Sequence, residues 1–137
     1  MKSKREENRL MGLVRAARRR RLDHVFVFDP ANLRAFTGIV CDNACLLVTP
    51  PQTSNLKPQT SLFTDFRYVP MVHRVAPKLK VSDIAKLWRT NRRKMRLGYE
   101  PEMPHARFLR LQKAFPRATF VDISADIAAL RAVKTPE

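Results

Sequence analysis

The chain has 137 residues, of which 45% are hydrophobic, which fits one folded domain and excludes a disordered chain. A net charge of +15, from 27 Lys and Arg against 12 Asp and Glu, favours anionic partners without naming one. No apolar run reaches the ~18–20 residues of a membrane span, the charged start has no apolar stretch of a secretory signal behind it, and Cys41 and Cys45 with the scattered His24, His73 and His105 do not supply the about four ligands of a zinc site, so the expectation is a cytoplasmic protein with two free thiols and no membrane contact.

Residues 3–22 carry no proline, and Leu10, Leu13, Val14, Ala17 and Leu22 recur at helical spacing among charged neighbours, which predicts an amphipathic helix. His24 to Phe28 reads as a short buried strand. Asp29 and Pro30 start a second helix, with Asp as N-cap and Pro in the first turn. Leu33 and Phe36 form its inner face and Gly38 ends it. A loop from Ile39 to Asn43 leads to a strand over Ala44–Thr49. The proline-rich stretch from Pro50 to Gln59 is the turn of a long hairpin, and Thr60–Thr64 returns as the third strand.

Asp65 is expected to cap a helix running through Arg67 to Val75, with Pro70 early enough not to break it. Leu79 and Val81 suggest a short strand. Ser82 and Asp83 cap a helix from Ile84 to about Thr90, and residues 94–100 read as a strand. Pro104 opens a helix with Phe108, Leu109 and Leu111 inward, closed by Pro116. Thr119–Asp122 is the last strand, and Ser124 caps a final helix over Ile127–Val133. Strands alternating with helices, plus one antiparallel hairpin, predict an α/β domain with a mixed sheet flanked by helices.

Much catalytic chemistry is missing from the sequence. Only Gly12, Gly38 and Gly98 are present, too few and too scattered for a phosphate-cradling loop, and no nucleophile elbow occurs. Among the carboxylates Asp42, Asp65, Glu100, Glu102, Asp122 and Asp126, the pair Asp122 and Asp126 could come together, but at a strand end entering a helix a structural role outweighs a metal. No metal ligand is assigned. Two basic clusters stand out, Arg15 with Arg18–Arg21, and Arg89 with Arg92–Lys94. Helix C-terminal complementarity, nucleic-acid phosphates and an acidic partner are the three readings, and the lack of interleaved aromatic residues counts against a base-stacking surface.

Five segments in order resemble one family. Leu22–Val27 followed by Asp29–Gly38 is similar to the opening of aminopeptidase P and prolidase chains, with Phe36 at the aromatic position of a Tyr-Leu-Thr-Gly-Phe-like turn and Ile39 after the glycine. Asp42–Pro50 resembles the family's second strand. Leu62–Tyr68 is similar to its Leu-Phe-Thr-Asp-Gly-Arg-Tyr motif, with Phe66 replacing the small residue. Arg96–Glu100 resembles its Val-Gly-Val-Glu strand, and Ala129–Glu137 resembles the junction before the catalytic domain.

The resemblance to the creatinase, prolidase and aminopeptidase P family implies a ribonuclease-H-like amino-terminal domain over residues 1–137, followed in the family by a pita-bread catalytic domain that this chain lacks. Two divalent metals (Mn, Co or Zn) are held in that missing domain, where a metal-bound hydroxide attacks the bond before proline. No cofactor and no catalytic residue is therefore assigned to this chain, which alone is expected to be inactive. The resemblance further implies a homodimer, contact with the chain's own C-terminal catalytic domain, and a loop that narrows the partner subunit's active-site entrance. By position that loop is Ile39, Val40, Cys41, Asp42 and Asn43, with Asp42 facing a cationic amino group; the alternative is that Asp42 and Asn43 simply make a turn. Asp65, Arg67 and Tyr68 belong to the family motif, with a structural role set against one in lining an inter-domain cleft. A stand-alone interaction module that binds a protein or nucleic acid through the basic surface is the alternative function.

Overall fold

The computed structural model describes residues 4–53 and 57–132. Helix α1 covers Lys4–Arg19, and the stripe Leu10, Leu13, Val14 and Ala17 is buried as its spacing predicts. The chain leaves α1 through Arg21 at φ 58°, in the left-handed region. Arg21 N–H donates to Arg18 O at 3.1 Å and Leu22 N–H to Ala17 O at 2.9 Å, the bond pair of a Schellman turn. That position favours glycine, and a side chain there costs roughly 1–2 kcal/mol.

Strand β1 is His24–Val27 and helix α2 is Pro30–Thr37. Asp29 caps α2 by accepting from Asn32 N–H at 3.0 Å, and Gly38 ends it at φ 77°. Strands β2 (Ala44–Thr49) and β3 (Gln59–Thr64) pair antiparallel as the expected hairpin. After β3 the expected single helix is two pieces, a 3-10 turn over Phe66–Tyr68 and helix α3 over Val69–Val75. Pro70 has no N–H to donate and so falls in the first turn of a fresh helix. Strand β4 is Lys80–Asp83, and the helix expected from Ile84 is a 3-10 turn over Ile84–Trp88. Strand β5 (Arg96–Tyr99), helix α4 (His105–Ala114), strand β6 (Thr119–Asp122) and helix α5 (Ser124–Ala132) complete the order.

Two smaller expectations are corrected. Leu109 is 50% exposed, because Leu111 and Ala114 carry the buried side of α4. Ser124 does not cap α5. Asp122 does, accepting from Ser124 N–H at 2.8 Å and from its hydroxyl at 2.6 Å, and these bonds hold the Asp122 carboxyl below its ordinary pKa. Asp126 pairs instead with Arg20 at 2.6 Å, and the charge of Arg20 also acts on Asp122. The expected junction residues Val133–Glu137 lie outside the described residues.

The six strands form one sheet in the order β4-β3-β2-β1-β5-β6. β1 is parallel to β5, β5 to β6, and β3 to β4, while β2 is antiparallel to both its neighbours. Five strands therefore end along one rim of the sheet, the carboxyl rim, and begin along the opposite amino rim. Alternation along β1 splits the core. Val25 and Val27 join Leu13, Leu33, Phe36 and Ile127 beneath α1, α2 and α5, while Phe26 joins Leu87, Leu111 and Phe115 beneath α4.

Gly98 lies where the β5 backbone is crowded. A Cβ there would stand 2.8 Å from Leu22 Cδ1 and 3.0 Å from Ile123 Cγ2. Gly98→Ala is expected to cost about 1–3 kcal/mol through overpacking, read as a shift of the urea midpoint at unchanged slope. Full stability in that variant would show that Leu22 and Ile123 move aside freely.

Candidate functional site at the carboxyl rim

The loops at the carboxyl rim surround a hollow of about 420 Å³ whose polar lining includes Asp29, Asn32, Asp42, Glu100, Arg107 and Arg131. Open α/β sheets bind ligands at this rim because strand ends present loops and helix starts there. Glu100 follows β5 and is 5% exposed. Its Oε1 accepts from Phe28 N–H at 2.6 Å and Asp29 N–H at 3.1 Å, and its Oε2 accepts from Asn32 Nδ2 at 2.6 Å. Asn32 Oδ1 in turn accepts from Arg131 Nη1 at 2.9 Å. One carboxylate thus ties the β1–α2 junction to β5 and, through Asn32, to α5. Burial raises the Glu100 pKa above its ordinary value, and the bonds from Asn32, Phe28 and Asp29 oppose that rise. The sequence shows Glu100 only as an interior carboxylate closing a family-like strand. Its sole local signal is an acid placed directly after an apolar strand.

The loop assigned from the sequence alternates between anchored and presented residues. Ile39 is fully buried, and its N–H donates to the Thr37 hydroxyl at 3.1 Å. Val40 is 69% exposed. Cys41 is buried with Sγ 3.5 Å from Thr64 Oγ1, and Thr64 donates to Asn43 O at 2.9 Å. Asp42 is exposed and lines the hollow, while the exposed Asn43 lines an adjoining groove. The loop therefore has two buried pins, with Val40 and Asp42 facing outward.

Asp65 accepts from Arg67 N–H at 2.9 Å and from Arg67 Nε at 3.1 Å. These bonds hold its carboxyl below the ordinary carboxylate range. The Arg67 side chain is 68% exposed and its charge also senses Asp42, whereas Tyr68 is half-buried against the core. Asp42 and the motif residues thus share one region, with Phe66 beside them 74% exposed. Beyond the hollow, Phe28 and Trp88 stack with centroids 6.0 Å apart. Arg107 lies 5.0 Å over Phe28 and Arg110 4.5 Å over Trp88, a ladder of rings and guanidinium groups that fixes α4 to the rim.

This arrangement can bind polar and ionic groups. Cys45 is fully buried, and desolvation raises its thiol well above the ordinary value, which keeps it protonated and non-nucleophilic. Among the described residues no three His, Cys, Asp or Glu side chains gather as metal ligands do.

The family model described as the Creatinase/Prolidase N-terminal domain matches residues 9–133. Among solved structures, the chain is similar to aminopeptidase P from Streptococcus thermophilus, with TM-score 0.72 and 18% identity over 92% of this chain and 98% of that one. It is similar to the N-terminal domain of the cytoplasmic peptidase PepQ from Mycobacterium tuberculosis, with TM-score 0.71 and 22% identity over 90% and 98%. It is also similar to the prolidase from Pyrococcus furiosus, with TM-score 0.73 and 20% identity over 92% of this chain but 38% of that one. A comparison with curated proteins found no match.

Proposed function

This chain belongs to the creatinase and prolidase N-terminal domain family, and from that premise we propose that it is the non-catalytic domain of a Xaa-Pro peptidase, contributing to a homodimer and to the gate of its active site. The reading rests most on the pinned loop. Ile39 and Cys41 fix its backbone, so Val40 and Asp42 are held outward with little ordering entropy left to lose on contact. Val40 and Phe66 offer exposed apolar contact for a neighbouring domain or subunit, and Asp42 offers a charge for a substrate's amino group. Under this reading the two divalent metals (Mn, Co or Zn) belong to the catalytic domain. The described donor set does not fit such a pair, and in this reading the chain's part is binding and shape.

Asp42→Ala, in the protein that joins this chain to its catalytic domain, is expected to raise KM for Xaa-Pro peptides about threefold or more with kcat little changed. Kinetics that are unchanged across peptides of several lengths would contradict the gate.

A further inference from the structure

The two basic runs of the sequence meet at the amino rim, away from the hollow. Asp23 and Arg96 are 73 positions apart, yet Asp23 N–H donates to Arg96 O at 2.8 Å and Arg96 N–H to Asp23 Oδ2 at 2.8 Å. Arg96 Nη2 also reaches Arg20 O at 3.1 Å. These bonds clamp the end of α1 to the start of β5, so that Arg18, Arg21, Arg93 and Lys94 line one open cleft of about 470 Å³. Among the described lining residues Asp23 is the one carboxylate, giving four cations against one anion, and its Oδ2 is already engaged by Arg96 N–H. Among the described residues no carboxylate forms an ion pair with any of the four cations. His24 joins this cleft to a neighbouring groove lined by Lys86, Arg89 and Arg92, so the cations continue from the rim onto the sheet face at Phe26, Leu47 and Phe63.

Arg21 gives a second, independent observation. It holds the left-handed position of the Schellman turn, where glycine is favoured, and its side chain lines the cleft. A long cationic side chain at a position that favours glycine puts a charge at the cleft at a cost in backbone strain. Among the described residues no Phe, Tyr or Trp lines the cleft, and the rings of the neighbouring groove, Phe26, Phe63 and Phe115, pack into or against the core, so base stacking has no platform here. A cluster of unpaired Arg and Lys without stacking rings suits a regular, linear polyanion whose charges are all on its outside. We infer that the amino rim binds the sugar-phosphate backbone of double-stranded nucleic acid without reading its sequence.

The test is fluorescence anisotropy of the 137-residue chain with a labelled mixed-sequence DNA duplex of about 20 base pairs, over a salt series from about 50 to 200 mM. Log affinity is expected to fall linearly with log salt, with a slope of about −3 to −5 for four or five phosphates neutralised. Arg21→Ala/Arg93→Ala/Lys94→Ala is expected to weaken binding at least about tenfold and to flatten the slope by about 2–3. Arg34→Ala/Arg74→Ala/Lys78→Ala removes the same charge from exposed positions outside both grooves and is expected to change affinity less than about threefold. Arg21→Gly alone should weaken binding while raising Tm by a few degrees, a split that a folding defect cannot produce. Equal losses in the two triple variants, no duplex binding at the lowest salt, or tighter binding of a polyglutamate peptide than of the duplex would each overturn the assignment.

Discussion

Glu100→Ala is expected to destabilise the fold by about 2–4 kcal/mol, although it removes an acid from the sheet rim. The loss comes from the donors left behind. Phe28 N–H, Asp29 N–H and Asn32 Nδ2 all point at the carboxylate, and the first belongs to a residue only 3% exposed. An unsatisfied buried donor loses its hydrogen bonds to water on folding and regains nothing. Guanidinium denaturation should report the change as a lower midpoint at unchanged slope. A loss below about 0.5 kcal/mol would mean that water replaces the carboxylate and that Glu100 does not hold the rim.

Glu100 also sets a pH dependence. Its folded pKa lies above its unfolded value, so the native state binds more protons than the unfolded chain between the two. The group's favourable contribution is therefore present below the unfolded value of about 4.3 and is lost as pH rises through the folded value. Glu100→Gln cannot titrate. From pH 4 to 7 it should lose less stability than the parent chain does, and a steeper loss in the variant would contradict the sign.

Phe36→Ala is expected to cost about 3–5 kcal/mol, a large share of the roughly 5–15 kcal/mol that holds a domain of this size. Phe36 is fully buried beside Leu33 on the inner face of α2, in the cluster that includes Leu13 of α1 and Leu46 of β2. The cavity would sit beneath the helix whose Gly38 end launches the Ile39–Asn43 loop, so Val40 and Asp42 should lose their fixed placement along with the stability. Phe66→Ala is the contrast. At 74% exposure Phe66 should change stability by less than about 0.5 kcal/mol and act only on contact with a partner. Comparable losses in the two variants would place Phe66 in the core.

Local chemistry made much of this fold legible in the sequence. Asp29 and Gly38 mark the ends of α2 because a side-chain acceptor and a left-handed turn are requirements of single positions. The α1 stripe and the β2–β3 hairpin were legible because burial follows periodicity. Other features depend on partners far away in the chain. Glu100 meets residues 68 to 72 positions away, and no spacing rule links them. The spacing of the two basic runs does not tell that they meet, because the Asp23–Arg96 bonds that bring them to one cleft join positions 73 apart. At α5 both Asp122 and Ser124 carry capping oxygens, and only backbone geometry decides that Asp122 accepts. Of the candidate site, the loop could be placed from family motifs, whereas the inward and outward alternation of its side chains required the packing.

On the function proposed above, this chain supplies shape and contact to a peptidase, and the bond-breaking chemistry belongs to another domain. The most direct test incubates the purified 137-residue chain with Mn, Co or Zn and a Xaa-Pro dipeptide and follows free proline. Proline release no faster than with metal alone is expected, and metal-dependent turnover that scales with chain concentration would overturn the proposed function.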